Sequence, residues 1–393
     1  MRFNVDHTLH KRMQEIRRSL HRHPELAYQE EKTSALICQE LTRLGIDFTK
    51  GLAGTGIRAC LGTDAEPCIA LRADMDALPI EEETGLEFSS INSGVMHACG
   101  HDGHVAMLLG AAELLQEQKP DGRIVLLFQP AEESGNGAAA MIAAGCLQDV
   151  DMIFSGHIDT HYPVGTLTVD KGLICSYTNP FTINIHGRGG HAAKPHETVD
   201  AIVVASNLVM NLQTLVSRRI NPAHAAVVTV GRFSAGSVHN VIAEKATLEG
   251  TIRSAHPETR DRIISGLNRV IRGAAEMCNA EIILTLHEGL PAVVNDERSH
   301  AVAREAAVAV VGEDSVFSQR YPSLGGEDFS FYQQSIPGCM IRFGAAREMG
   351  AGPAHSSRFD FDENVLTYGA AWLAAVAAHG LKPLQKSGKG RLG

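Results

Sequence analysis

Apolar and polar positions along the chain predict alternating helices and buried strands. A helical repeat of apolar residues covers residues 9–20 and again 31–44, where Gly45 provides a typical helix end. Further helices are predicted from residue 105 to 115 and from 138 to 144. Apolar runs predict strands, which cover residues 56–61, 68–73, 123–128, 152–154 and 340–343. This alternation predicts an α/β fold with a central, mostly parallel sheet flanked by helices.

Residues 181–290 have a different order of elements. The pattern predicts strands at 181–186, 226–233, 246–253 and 280–288, and helices at 199–216 and 258–279. The order β-α-β-β-α-β is that of a small ferredoxin-like α+β sandwich. We therefore expect an inserted domain at 181–290, within a larger domain formed by residues 1–180 and 291–393.

Composition limits the classes of partner. The 393 residues are 44% hydrophobic and 20% charged, which is typical of a globular chain of two domains. With 35 basic and 45 acidic residues the net charge is −10, which disfavours nucleic acid and favours a small-molecule partner. No apolar stretch approaches the roughly 18 residues that span a bilayer, so no membrane partner is expected. The eight cysteines form no CxxC pair, and no apolar signal segment opens the chain, which together favour reduced thiols in the cytoplasm.

Three histidines, a cysteine and an aspartate fall within residues 97–104. Cys99 and His101 are separated only by Gly100, which permits a turn that directs both side chains to one point. The following apolar pattern places them at a helix N-terminus, whose dipole favours the thiolate that a metal ligand requires. Alternatively, Cys99 is a small buried hydrophobic residue and the histidines cap the helix.

More polar residues follow the apolar strands. In open α/β sheets, ligands bind beyond the carboxyl ends of the strands, so these residues are expected to converge on one sheet edge. They are Asp74 and Asp76 after 68–73, Glu132 and Glu133 after 123–128, His157 after 152–154, and His355 after 340–343.

The candidate donors are too many for one tetrahedral zinc ion. Two divalent ions with one bridging ligand are the simpler interpretation, and the identity of the bridge stays open. Zinc suits the mixture, as do manganese, cobalt and nickel. Adjacent glutamates after a strand point in different directions, so one can bind metal while the other acts as a general base. The five donors are Cys99, His101, Glu133, His157 and His355.

Longer motifs resemble a known family. In this chain they read LRADMDALPI, MHACGHDGHVAMLLGAA, FQPAEESGNGA, GRGGHAAKPH, HNVIAE, GTIRS and GGEDF. Together they resemble the aminoacylase and hippurate hydrolase branch of the dinuclear metallopeptidases. That branch also contains the plant indole-acetyl-amino acid hydrolases and related carboxypeptidases.

The resemblance assigns roles to individual residues. It implies that the five donors hold the metals and that Glu132 is the general base. His191 would be a residue of the inserted lid domain that polarises the substrate carbonyl, and Asn240 and Arg253 would hold the substrate carboxylate. Asp76 matches an aspartate that supports a metal-binding histidine in the wider family, but Asp74 replaces that histidine here. We therefore rank Asp76 below Glu132 as a catalytic residue.

The function expected from the resemblance is hydrolysis of an N-acyl amino acid, of N-acetyl or N-benzoyl type, to a carboxylic acid and a free amino acid. A metal-activated water would attack the amide, with Glu132 as the base. The alternatives are a carboxypeptidase or dipeptidase of the same chemistry, and a catalytically silent metal-binding protein. A homodimer or higher homo-oligomer formed through the inserted domain is expected, and His191 acts either in its own subunit's site or, as we hypothesise, in that of the partner.

Overall fold

The computed structural model describes residues 3–63, 67–347 and 351–386. Its helices are α1 (His7–Arg22), α2 (Glu31–Leu44), α3 (His101–Gln118), α4 (Gly137–Ala143), α5 (Ala201–Arg219), α6 (Pro257–Cys278), α7 (Glu297–Val311), α8 (Phe329–Ser335) and α9 (Val365–Lys386). Its strands are β1 (Asp47–Leu52), β2 (Gly56–Gly62), β3 (Cys68–Asp74), β4 (Arg123–Gln129), β5 (Met152–Pro163), β6 (Leu167–Thr168), β7 (Gly172–Cys175), β8 (Tyr177–His186), β9 (Gly190–His191), β10 (Ala226–Ala235), β11 (Val241–Ile242), β12 (Lys245–Ser254), β13 (Glu281–Leu286), β14 (Val293–Asn295), β15 (Val316–Phe317) and β16 (Gly338–Ala346). None of the described helices combines the length and apolar character that crossing a bilayer requires.

The first of two compact units comprises the described parts of residues 1–174, 293–321 and 328–393. Its eight-stranded sheet has the order β1-β2-β4-β3-β5-β16-β6-β15. The four central strands, β4, β3, β5 and β16, run parallel to one another, whereas β2 and β6 on either side of them are antiparallel to β4 and β16. The predicted α/β fold with a central, mostly parallel sheet flanked by helices is confirmed.

Both faces of the central strands of this sheet are buried. Successive residues of a strand point to opposite faces. In β4, Ile124, Leu126 and Phe128 belong to the main hydrophobic core. Val125 and Leu127 point the other way and are also fully buried. Burial on both faces explains why the strand is continuously apolar in sequence.

Helix α9 contributes much of the main core. Its residue Trp372 is fully buried, and the indole Nε1 donates a hydrogen bond to the carbonyl of Ala303 in α7 at 3.2 Å. The indole also packs edge-on against Phe343 of β16, with ring centroids 5.6 Å apart. The only tryptophan of the chain therefore joins two helices to the central sheet.

Strand β5 is longer than its apolar pattern predicts. The expectation that the strand ends at Phe154 and that His157 follows it is wrong, because β5 continues to Pro163. The second half is paired with β16, in a register that sets His157 opposite Arg342. On the other side, β3 pairs with β5 only as far as Arg72 and Ser155. Asp74, two residues further along β3, is consequently level with His157.

The second unit comprises residues 175–292 and 322–327. Its sheet has the order β10-β12-β8-β13, and each of these neighbours is antiparallel. Phe181, Ile183 and Ile185 of β8 are buried in a separate hydrophobic core with residues of α5 and α6. The elements follow the order β-α-β-β-α-β, within bounds wider than residues 181–290.

Candidate metal centre

The segment before α3 makes the turn that places Cys99 next to His101. Gly100 precedes the helix with φ +93°, a left-handed conformation that glycine adopts without strain. Cys99 and His101 are both buried. The backbone N–H of His355 donates to the carbonyl of Ala98 at 2.8 Å, so the C-terminal loop is fixed beside the same turn.

The five candidate donors meet in the first unit. Cys99 Sγ lies 3.4 Å from His157 Nε2 and 3.3 Å from His355 Nε2. Glu133 Oε1 lies 3.3 Å from His355 Nε2 and 3.9 Å from His101 Nε2. Two trios have donor atoms within 4.8 Å of one another, and Cys99 belongs to both: Cys99, His101 and His157, and Cys99, Glu133 and His355.

The donor atoms are suited to a divalent cation. His101 Nδ1 lies 2.9 Å from the Asp76 carbonyl, and His157 Nδ1 lies 2.7 Å from the Ile158 carbonyl. Donation from these nitrogens leaves a lone pair on each Nε2, as in metal-binding histidines. Among the described residues, buried His101 Nε2 and Glu133 Oε1 have no hydrogen-bond partner. Buried polar atoms are rarely left unpaired, so this arrangement fits a bound metal ion.

The electrostatics of the site favour a cation, but not in the way that the helix dipole suggested. Burial, together with the negative charge of Glu133, raises the pKa of the Cys99 thiol to about 12. The helix dipole at the start of α3 therefore does not by itself offset the burial of this thiol. A cation is the charge that would ionise this thiol.

Asp76 holds the loop that carries the two glutamates. Its carboxylate accepts the backbone N–H of Glu132 and that of Glu133, both at 3.0 Å. Asp76 Oδ1 also lies 3.4 Å from His101 Nδ1. The Glu132 side chain is buried, and one of its carboxylate oxygens lies within 4.8 Å of donor atoms of His101 and Glu133.

Sequence reasoning missed Glu30, which also supports this loop. Ala131, directly before the glutamates, has φ +57°, an uncommon conformation for a residue other than glycine. Its backbone N–H donates to Glu30 Oε1 at 3.0 Å, and Thr55 Oγ1 donates to Glu30 Oε2 at 2.6 Å. Glu30 immediately precedes α2, where the only sequence signal is an acidic residue at a helix start.

Comparison with known proteins decides the family. Residues 70–379 match the model of peptidase family M20/M25/M40. The chain belongs to this family.

Relatives and a solved structure agree with this assignment. The chain is 40% identical over 381 residues to the IAA-amino acid hydrolase ILR1-like 4 of Arabidopsis thaliana, covering 95% of this chain and 86% of the relative. It is 40% identical over 362 residues to the N-acetyl-L-cysteine deacetylase of Bacillus subtilis (strain 168), covering 91% and 86%. The crystal structure of Bacillus subtilis YXEP, described as a dinuclear metal binding peptidase from the M20 family, superposes with a TM-score of 0.83 at 36% identity, covering 96% and 99%. This M20-family chain is a metallo-amidohydrolase.

The remaining candidate residues lie in the second unit of the M20-family chain. His191 in β9 pairs with Val241 in β11, and the Asn240 carbonyl accepts the backbone N–H of Ala192 at 3.2 Å. His191 and Asn240 are both exposed and are near neighbours. Arg253 in β12 is half-buried, and burial lowers the pKa of its guanidinium. No carboxylate pairs with Arg253 among the residues that the structure describes, which suits a guanidinium that binds an anionic ligand.

Proposed function

We propose that the protein hydrolyses the amide bond of N-acyl amino acids, with two divalent metal ions and with Glu132 as the general base. One observation carries the proposal: five metal-type donors converge, and a sixth side chain, the carboxylate of Glu132, lies beside them on the same supported loop. A site that only stores or senses metal has no need for this additional base.

The two trios of donors suggest how the ions would be shared. His101, His157, Glu133 and His355 would hold the ions together with Cys99, which belongs to both trios. When bound, the ions would supply the Lewis acidity that makes a water molecule acidic near neutral pH. Zinc, manganese, cobalt and nickel all suit this mixture of nitrogen, oxygen and sulfur donors.

Residues of this chain would carry the proton and position the substrate. Glu132 would accept a proton from the attacking water and pass it to the leaving nitrogen. His191 would donate a hydrogen bond to the carbonyl oxygen as negative charge develops there, a contribution typically of about 2.7–4 kcal/mol. Arg253 would bind the α-carboxylate with its planar pair of donors, beside Asn240.

Assembly and location extend the proposal. A homodimer formed through the second unit would suit its exposed sheet edges, because an unpaired edge strand is a template for pairing. All eight cysteines are free, as expected in the reducing cytoplasm, where we place the protein.

A substrate panel tests the proposal. N-acetyl, N-benzoyl and dipeptide substrates would be compared by kcat/KM, with metal content measured on the same sample. We expect two ions per chain, loss of hydrolysis on chelation, recovery on adding divalent ion, and preference for N-acyl amino acids. A preference for dipeptides would instead identify a carboxypeptidase or dipeptidase. Full metal content without hydrolysis of any substrate would favour a silent metal-binding protein.

A further inference from the structure

We propose that His104 is a positioning residue for the metal ligand His157, and that it acts through the backbone of Ile158. This inference rests on the ligand set of the proposed function, to which His157 belongs. His104 lies one turn along α3 from His101, and its ring is buried.

The hydrogen bonds of His104 determine its tautomer. The backbone N–H of Ile158 donates to His104 Nε2 at 2.9 Å. Because a peptide N–H can only donate, Nε2 carries a lone pair and the ring proton is on Nδ1. That proton is directed to Asp74 Oδ1, 2.5 Å away. His104 is therefore a neutral imidazole whose two nitrogens are both engaged.

These bonds explain why His104 is not itself a metal ligand. Donor atoms of Asp74, His101 and His104 lie within 4.8 Å of one another, which is close enough for a third metal trio. A metal would need a free lone pair on His104, and the Ile158 N–H occupies the only one. Asp74 and His104 are consequently a hydrogen-bonded support beside the metal ligand His101.

His104 accepts a hydrogen bond from a backbone group that lies beyond the end of the pairing between β5 and β3. The pairing of β5 with β3 ends at Ser155, so Ile158 lies beyond the end of that partner. The Ile158 N–H belongs to the peptide directly after His157. The Ile158 carbonyl accepts from His157 Nδ1 at 2.7 Å, which turns His157 Nε2 towards Cys99 Sγ at 3.4 Å. Fixing the Ile158 backbone therefore fixes both the tautomer and the direction of the ligand ring.

A buried ion-pair network holds Asp74 in place. Arg72 Nη1 lies 2.5 Å from Asp74 Oδ2, and Arg72 Nη2 lies 2.9 Å from Asp328 Oδ1. Arg72 Nε donates to Gln129 Oε1 at 2.8 Å, so the network spans the ends of β3 and β4 and the start of α8. Its charged side chains are at most 1% exposed. Asp74 thus has a fixed orientation from which it can orient His104.

Two substitutions separate the two hydrogen bonds of His104. His104→Asn keeps a donor near the Nδ1 position, towards Asp74, but lacks an acceptor for the Ile158 N–H. His104→Gln places an amide oxygen near the Nε2 position and keeps that acceptor. We expect His104→Asn to weaken binding of at least one metal ion by about 10–100-fold, to lower kcat with KM within about twofold, and to alter the visible absorption of the Co²⁺-loaded protein. His104→Gln should restore most of the metal affinity and the Co²⁺ spectrum.

A matched control is His10→Asn in α1, which makes the same replacement at a histidine whose Nδ1 contacts Thr367 Oγ1 at 2.9 Å and which is not one of the candidate metal donors. It should leave the Co²⁺ spectrum unchanged. Equal losses in His104→Asn and His104→Gln, with an unchanged Co²⁺ spectrum, would reduce His104 to a packing role and overturn the inference.

Nitrogen-15 NMR of the metal-loaded wild-type protein tests the tautomer without any substitution. We expect an unprotonated Nε2 on His104, and a proton on that nitrogen would overturn the inference. His157→Ala separates this inference from the proposed function. Retention of both ions by His157→Ala would refute the ligand set, whereas metal loss in His157→Ala with unchanged metal binding in His104→Asn would refute only the role of His104.

Discussion

Arg17 and Asp102 form an ion pair in the interior of the first unit, with Arg17 Nε 3.1 Å from Asp102 Oδ2 and both side chains at most 1% exposed. Asp102 directly follows His101 at the start of α3, so this ion pair connects α1 to the segment that carries the candidate ligand His101. Arg17 also contacts Asp360 at 2.7 Å and Glu363 at 3.0 Å. Burial alone would raise the pKa of Asp102, but Arg17 and His21 hold it well below its ordinary value.

Removal of the Arg17 charge should destabilise the fold strongly. Arg17→Met would remove the guanidinium that Asp102 and Asp360 share and leave these buried carboxylates only His21 and Arg347, at a cost of about 3–5 kcal/mol in the free energy of unfolding. Arg18→Met is the matched control, because Arg18 is 46% exposed and pairs with Glu363 near the surface. Its expected cost is below about 1 kcal/mol. Urea unfolding followed by circular dichroism measures both, and equal losses would contradict the buried-charge explanation.

Substitutions of the two adjacent glutamates should have different effects on kcat and on metal content. Glu132→Gln should retain both metals and lose about 10²–10⁴-fold in kcat, because a carboxamide cannot accept the proton. Glu133→Gln should lose metal first. Metal content after desalting, measured beside kcat on the same samples, decides between them. Equal metal loss in both variants would contradict the assignment of Glu132 as the base.

Acid stability should depend on Glu82. Burial alone would raise its pKa, but hydrogen bonds from His21, Thr84 and the Ser90 backbone bring it to about 2, below the ordinary 4.5. A carboxyl whose pKa is lowered by folding stabilises the fold above pH 4.5 and loses this contribution as the pH falls towards 2. His21, whose pKa folding raises, is protonated throughout this window in both states.

Glu82→Gln should therefore be less stable than the wild type at pH 6. Between pH 4.5 and 2, its stability should fall less than that of the wild type. Glu83→Gln is the control, since Glu83 is 59% exposed beside Arg358. Urea midpoints across this pH range give the comparison. A wild-type pH dependence in Glu82→Gln would show that other carboxyls govern acid unfolding.

Mixed dimers would test whether His191 acts in the partner's site. His191→Ala and Glu132→Gln should each be inactive, and a dimer of one of each would contain one site with both residues intact. Such dimers should recover about half of the wild-type rate by symmetry. Absence of recovery in mixed dimers verified by mass spectrometry would place His191 in its own subunit's site or outside catalysis.

Sequence patterns predict the core of the first unit well because its strands are covered on both faces. The apolar runs of β3 and β4 and the helix at 31–44 follow from periodicity alone. The polar half of β5 does not follow from periodicity. It is a strand because it pairs with β16, and its sequence has no apolar pattern. The sequence nevertheless predicts the sheet edge at which His157 lies. The register of β5 with β3 sets His157 level with the end of β3.

The sequence predicts the residues that support the metal site less well than it predicts the metal donors. Arg72 and Asp74 are two positions apart, so a strand directs both to one face, but the sequence alone does not reveal that they pair. The sequence indicates that Cys99 lies beside a helix N-terminus but not how deeply its thiol is buried, because burial depends on the packing of the whole unit. His104 stood in the histidine cluster, yet only its hydrogen bonds distinguish a support from a ligand.

The burial of Trp372 has a practical consequence for measurements on this chain. Because it is the only tryptophan and lies in the first unit, emission excited at 295 nm reports that unit alone. The second unit contributes to circular dichroism but not to this signal. Comparing the two signals during denaturation would therefore reveal whether the two units unfold together or one before the other.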